Sequence, residues 1–166
     1  MSVLNIQIFV DVIALLVDSP VEAAVFLYDD SPVTSAGRGT PQLRSPVYPG
    51  QLVRWSLAPI DVQTPVWLDS LTFGPHPADP PDGATIPTPP RRDPIWARRW
   101  EGYVPWGLLP GVDYPYRLTL GFGGGINRLL TIDGPSLVYA PPLAAQVSAQ
   151  VSAQAASAAQ GAGAAI

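Results

Sequence analysis

The fold is decided by residues 48–73, which read YPGQLVRWSLAPIDVQTPVWLDSLTF. Pro49-Gly50 predicts a turn that leads into a strand. Successive side chains of a strand point to opposite faces, so this strand has an apolar face made of Val53, Trp55 and Leu57. The opposite face carries Leu52, Arg54 and Ser56 and can meet water. The apolar face must therefore pack against a hydrophobic core.

A second strand is predicted over residues 66–73, because Pro59 ends the first one and an apolar run follows. We expect its aromatic side chains, Trp67 and Phe73, to fill the same interior as the first strand. Neighbouring strands that each have one apolar face are typical of the centre of a β-sandwich.

Length and composition favour a single all-β domain. The chain has 166 residues, of which 47% are apolar, enough for one sizeable core. Its 21 prolines and 15 glycines argue against long helices and favour short strands joined by turns.

The N-terminal part predicts two strands and a loop. Residues 4–12 alternate apolar and polar side chains, which indicates a strand with one buried face. The alternation lapses over residues 13–17, and three structures remain open there: a segment buried on both sides, a bend, or a short helical turn. Residues 21–28 form a second apolar run, and residues 31–45 predict a surface loop.

The C-terminal part completes a sandwich of seven or eight strands. Residues 96–104 and residues 114–122 alternate in the same way, the latter most clearly. Gly123-Gly124-Gly125 predicts a hairpin to a strand over residues 126–132, and residues 137–139 predict a short final strand. The expected fold is an antiparallel β-sandwich of the jelly-roll or immunoglobulin-like kind.

Two segments differ from the sandwich in composition. Within the domain, predicted over residues 1–142, residues 74–94 are rich in proline and predict a long exposed loop. Residues 143–166 are mostly alanine, glutamine and serine and form a low-complexity tail. The tail is either disordered or a helix that docks on a neighbour.

Charge and cysteine content exclude several classes of partner. The net charge is −4, and the nine basic residues form no stripe that could neutralise phosphates, so we expect no nucleic-acid partner. The absence of cysteine excludes disulfides and cysteine-based zinc sites. The sequence has no uninterrupted apolar run of about eighteen residues, and its start lacks a basic n-region, which predicts no membrane span and a cytoplasmic location.

Residues for catalysis are not arranged in any recognisable pattern. The single histidine, His76, lies between two prolines in the proline-rich loop, which is a poor position for a Ser-His-Asp triad. Acidic residues suited by type to glycosidase chemistry have no motif spacing; they are Glu22, Asp69, Glu101 and Asp113. We therefore expect no catalytic residues, no metal, no cofactor and no enzymatic activity.

One hypothesis assigns a binding role to residues 96–106. Trp96, Trp100 or Trp106, if exposed beside Arg98 or Arg99, could stack on a sugar or another flat ligand. Aromatic residues at strand spacing are more often part of the core. Trp106, between Pro105 and Gly107, is the best candidate for exposure.

Four short motifs resemble a known family. They lie at residues 6–12, at Gly39-Thr40 with Leu43, at Pro49-Gly50-Gln51 with Arg54-Trp55, and at Tyr116-Arg117-Leu118 with Ile132-Asp133-Gly134-Pro135. On these motifs, which span most of residues 3–140, the chain looks like a divergent member of the bacterial AidA/PixA inclusion-body protein family. It departs from familiar members in its closing motif, where they have a tryptophan-aspartate-proline order, and in its proline-rich insertion.

The resemblance implies a small β-sandwich without established catalytic activity, which in some members accumulates in cytoplasmic inclusions. It assigns no catalytic residue to this chain. Only 13% of the residues are charged, so little repulsion opposes contact between copies. We therefore predict a self-associating, homo-oligomeric protein. The alternative is a module that binds a carbohydrate or another small ligand.

Overall fold

The computed structural model describes residues 3–61, 63–73, 98–123 and 128–140. Within these ranges the chain forms eight strands in two four-stranded sheets. The elements in chain order are β1 (Val3–Val10), α1 (Val12–Leu16), α2 (Val21–Ala24), β2 (Val25–Asp29), β3 (Arg44–Val47), β4 (Leu52–Pro59), β5 (Val66–Phe73), β6 (Arg99–Tyr103), β7 (Asp113–Phe122) and β8 (Arg128–Tyr139). The predicted all-β sandwich is confirmed.

The two sheets are mixed. The first sheet has the strand order β2-β1-β4-β6, and the second has the order β3-β8-β7-β5. Four of the pairings are antiparallel, as predicted, but β1 pairs with β4 in parallel and β3 pairs with β8 in parallel. A parallel pair needs a crossover rather than a hairpin, and the chain between β1 and β4 supplies one through α1, α2, β2 and β3.

β4, the first strand within residues 48–73, has the predicted faces. Val53, Trp55 and Leu57 of β4 are buried between the sheets, and the side chains between them are partly exposed. β1 alternates in the same way, with buried side chains at every second position from Leu4 to Val10.

The prediction that Trp67 fills the interior is wrong, and a β-bulge explains why. The register of β5 against β7 shifts between Leu68 and Ser70, so the inward positions change parity within the strand. Val66 and Leu68 point inward before the bulge, whereas Leu71 does so after it. Phe73 reaches the core as predicted, and Trp67 is left on the outer face.

A second bulge corrects the C-terminal prediction. The two strands expected over residues 126–132 and 137–139 are one strand of 12 residues, β8. Its register against β7 shifts between Pro115 and Arg117, where Gly134 has a φ of 137°. The glycine lets the chain continue through the bulge, so Gly134-Pro135 bends the strand instead of ending it.

The open segment after β1 is a short helix. Asp11 caps α1 by accepting a hydrogen bond from the Ala14 N–H at 3.0 Å. The apolar run over residues 21–28 is divided between α2 and β2 rather than forming one strand. Residues 31–45 are also more than a surface loop, since Leu43 and Ser45 are buried and β3 begins at Arg44.

Several predictions lie outside the described residues. These are the proline-rich loop at residues 74–94, the tail at residues 143–166, the glycine turn between β7 and β8 beyond Gly123, and the surroundings of Trp96 and His76. Among the residues that are described, no helix is long and apolar enough to cross a membrane.

Candidate functional site

The structure separates the residues predicted to bind a ligand. Trp100 is only 6% exposed and belongs to the core, whereas Trp106 is 77% exposed. Arg98 is exposed just before β6, and Trp106 follows its other end. The five residues of β6 span about 17 Å, so Arg98 and Trp106 do not share a site along the strand. Trp96 lies outside the described residues, and the binding role of these four side chains stays a prediction.

Trp106 instead belongs to a segment between the end of β6 and the start of β7 that exposes several large apolar side chains. We call this the apolar end surface; its large exposed side chains are Tyr103, Trp106, Leu109 and Val112. Residues 102–112 contain no charged side chain. The exposed fractions of the four side chains run from 42% for Val112 to 77% for Trp106. Several large apolar side chains exposed within one short segment without charge are typical of an interaction surface.

The apolar end surface is held in place by backbone contacts and buried anchors. The Val104 N–H donates to the Gln51 carbonyl at 2.8 Å, and the Gly50 N–H donates to the Val104 carbonyl at 2.9 Å. Val104 and Leu108 are buried in the core between the exposed positions. The exposed side chains are thus presented by a fixed segment.

Gly50 makes room for the exposed indole. A Cβ at Gly50 would lie 2.4 Å from the Trp106 ring, so the ring lies directly on the glycine backbone. Gly50 also has a φ of 75°, in the left-handed region that favours glycine. The predicted turn at Pro49-Gly50 thus also seats Trp106.

The outer face of the first sheet carries a second candidate surface. It is a groove of about 490 Å³, which we call the polar groove; its lining residues are Asn5, Ile6, Gln7, Tyr28, Asp29, Asp30, Arg54, Ser56 and Arg99. Strand register assembles it, because Tyr28, Gln7, Ser56 and Arg99 are successive cross-strand neighbours across all four strands. This volume lies within the range of ordinary small-ligand sites.

Two ion-pair and hydrogen-bond arrangements fix the charged side chains of the groove. Asn5 donates from its backbone N–H and from its side-chain amide to the Asp30 carboxylate, at 2.8 and 2.6 Å. Glu101 accepts from Arg54 Nε at 2.6 Å and lies 2.8 Å from an Arg99 nitrogen. The hydrogen bond from Arg54 is the main reason why the pKa of Glu101 is lowered, and both arginine charges add to it.

An apolar groove adjoins the polar one. It has a volume of about 410 Å³ and is lined by Phe9, Phe26, Tyr28 and Ile60. Tyr28 belongs to both grooves, and its ring meets the Phe9 ring edge to face at a centroid distance of 5.8 Å. The same face of the sheet therefore offers hydrogen-bonding groups beside aromatic rings.

A buried carboxylate holds the end of β2 behind the groove. The Asp29 side chain is fully buried and accepts hydrogen bonds from the Ser35 and Ser45 hydroxyls, at 2.7 and 2.6 Å. Arg38 contributes an ion pair to the Asp29 carboxylate at 3.6 Å and a hydrogen bond to the Asp29 carbonyl oxygen. These contacts tie the chain after β2 to β3 and fix the neighbouring Tyr28 and Asp30.

Comparison with known families places the chain in one of them. A family model described as a domain of unknown function, DUF8788, matches residues 2–127. The chain belongs to this family. The match covers β1 to β7, so the apolar end surface and the polar groove both lie within the family domain.

A solved structure shares the fold. It is the inclusion body protein PixA from Burkholderia cenocepacia J2315, which is 11% identical to this chain, with a TM-score of 0.50. The similarity covers 84% of this chain and 96% of that protein. Among curated proteins, no match was found.

The polar groove was not predicted from the sequence, although the alternation of two strands contains a signal for it. Asn5 and Gln7 occupy the outward positions of β1, and Arg54 and Ser56 occupy those of β4. The parallel pairing that brings these four side chains together is a long-range feature that alternation cannot reveal.

The acidic residues considered for catalysis are not brought together. Glu22, Asp69, Glu101 and Asp113 lie on four different elements. In the part of the chain that the structure describes, no cluster of metal-ligating side chains occurs.

Proposed function

We propose that this protein is a non-enzymatic, self-associating β-sandwich, and that a second copy of the chain covers the apolar end surface. The observation that carries the proposal is the exposure of four large apolar side chains along a fixed, uncharged segment. Water contact with such a surface is unfavourable, and contact with a similar surface removes it.

The absence of charge supports a second copy of the chain as the partner that covers the apolar end surface. A two-fold contact brings the same patch together from both copies, so a charge near the axis would face its own kind. Residues 102–112 carry no charge, and the chain as a whole carries only −4. The uncharged segment thus meets a requirement of self-contact.

The fold shared with PixA supports a cellular role that also involves self-association. We infer that the chain is a divergent relative of the AidA/PixA family and that it accumulates in the cytoplasm as an inclusion-type protein. The support is the fold shared with a protein described as an inclusion body protein, together with the four motifs in the sequence. Self-association, for which the apolar end surface is suited, is a step toward such accumulation.

The test compares two matched leucines by sedimentation velocity over a concentration series. Leu109 is 62% exposed on the apolar end surface, and Leu129 is 63% exposed on β8 of the second sheet. We expect Leu109→Glu to weaken self-association about tenfold or more, because it places a charge in the contact. Leu129→Glu adds the same charge elsewhere and is expected to change it little. A parent protein that stays monomeric at high concentration, or equal effects of both variants, would refute the proposal.

A further inference from the structure

The polar groove offers hydrogen-bonding groups that the fold itself does not use. Gln7 is exposed at the centre of the groove, and Ser56 is its cross-strand neighbour on β4. Neither side chain makes a hydrogen bond within the described residues. The Gln7 amide provides two donors and one acceptor, and the guanidinium of Arg99 keeps further N–H groups beyond its pair with Glu101. These groups can pair with adjacent hydroxyls of a ligand, because each hydroxyl both donates and accepts hydrogen bonds.

The charges of the groove balance. Arg54 and Arg99 carry two positive charges, and Glu101 and Asp30 carry two negative charges at the outer face of the first sheet. The remaining lining carboxylate, that of Asp29, is buried and paired with Arg38. Glu101 pairs with both arginines and cancels one of their two charges, and the Asp30 carboxylate on the same face would repel a phosphate or sulfate group. A ligand with hydroxyls and no charge would meet fixed donors and acceptors without that repulsion.

The aromatic ring at the edge of the polar groove suits the ring face of a sugar, as the polar side chains suit its hydroxyls. Tyr28 is 43% exposed and separates the polar lining from the apolar groove. A sugar ring has polar edges formed by hydroxyls and less polar faces formed by C–H groups. A hexose that lays a C–H face against Tyr28 therefore has its hydroxyls beside Gln7 and Ser56, on the side toward Arg99.

We propose that the polar groove is a binding site for an uncharged saccharide of one or two rings. Gln7, Ser56 and Arg99 bind its hydroxyls, and Tyr28 packs against its ring face. Glu101 and the Asn5–Asp30 contact position this lining. The site shares Arg99 with the segment 96–106 considered from the sequence but uses none of its tryptophans, and it does not depend on self-association.

The experiment titrates the full-length protein with free sugars by saturation-transfer difference NMR and calorimetry. The probes are methyl glycosides of mannose, galactose and glucose, free fucose and N-acetylglucosamine, with glucose 6-phosphate as the charged comparison. We expect at least one neutral sugar to bind, with an affinity that falls about tenfold in Gln7→Ala and in Arg99→Ala. The matched controls on the second sheet are Thr72→Ala and Arg128→Ala, both at exposed positions and expected to leave binding unchanged.

Three outcomes would overturn the proposal. The first is that no neutral sugar binds, or that only glucose 6-phosphate does. The second is binding that Gln7→Ala and Arg99→Ala leave intact. The third is binding that Trp106→Ala abolishes while Gln7→Ala does not, which would assign the ligand to the surface around Trp106. Repeating the titration with Leu109→Glu separates this proposal from self-association, because that variant is expected to bind sugar normally.

Discussion

Tyr116 shows how one residue can serve the core and still carry an unfavourable feature. Its ring packs against Trp55 and Phe73, with centroid distances of 5.8 and 5.4 Å, and thereby joins the two sheets. Its hydroxyl is buried and has no hydrogen-bond partner of good geometry among the described residues, and the same is true of Trp55 Nε1. A buried polar atom without a partner lowers stability, because folding removes its contact with water.

We expect Tyr116→Phe to be as stable as the parent at pH 7 or more stable by about 1 kcal/mol, since it removes an unpaired hydroxyl. Burial raises the pKa of Tyr116 well above its ordinary value of 10. The ionisation of Tyr116 therefore leaves stability unchanged below about pH 10, and the folded protein loses stability as the pH rises further, because only the unfolded chain then ionises easily. The advantage of the variant should therefore grow between pH 9 and 11.

Urea denaturation across that pH range checks the Tyr116 prediction, with Tyr103→Phe as the control for removing a hydroxyl from a ring that is 66% exposed. A loss of more than about 1 kcal/mol in Tyr116→Phe at pH 7 would contradict it. That result would mean that the hydroxyl makes a hydrogen bond in the folded protein, for which the Trp55 indole beside it is the candidate donor.

At the scale of strands, bulges decide which side chains the core receives. Alternation predicted the faces of β1, β4 and β7 correctly, because these strands keep one parity along their buried positions. It failed for Trp67 and for the end of β8, because a single extra residue inverts every later side chain. The extra residue in β5 becomes evident only when two distant strands are paired.

The bulge in β5 leaves Trp67 lying on Gly121 of β7. A Cβ at Gly121 would lie 2.2 Å from the indole, so a side chain there must displace the ring. We expect Gly121→Ala to destabilise the protein by about 1–3 kcal/mol, and to do so by less in a Trp67→Ala background. Thermal or urea unfolding of the four proteins in this double-mutant cycle measures the coupling.

The control for the glycine cycle is Gly107→Ala, because a Cβ at Gly107 would meet nothing within 4 Å. It should change stability by no more than about 0.5 kcal/mol. Equal costs of Gly121→Ala with and without the indole would show that backbone effects, rather than the contact with Trp67, require glycine in β7.

For the molecule as a whole, composition predicted the fold class but not the surfaces. Proline and glycine content indicated short strands and one core, and the sandwich agrees. The polar groove depends on the parallel pairing of β1 with β4, which a crossover of about forty residues brings about. The exposure of Trp106 was the part of the binding hypothesis that local sequence could predict, since Pro105 and Gly107 place it in a turn.

The overall charge predicts how self-association responds to solution conditions. The net charge is −4 at pH 7 and the isoelectric point is near 4.7, so repulsion between copies falls as the pH approaches 5. Salt screens the same repulsion, and sulfate also strengthens apolar contacts. We therefore expect self-association, measured by sedimentation velocity, to rise several-fold from pH 7 to pH 5, and at pH 7 from low salt to added sodium sulfate.

Leu109→Glu should associate more weakly than the parent under each condition, because its added charge lies in the contact itself. Association that weakens as salt is added would instead indicate a contact made by ion pairs, and the apolar end surface would then not be its cause.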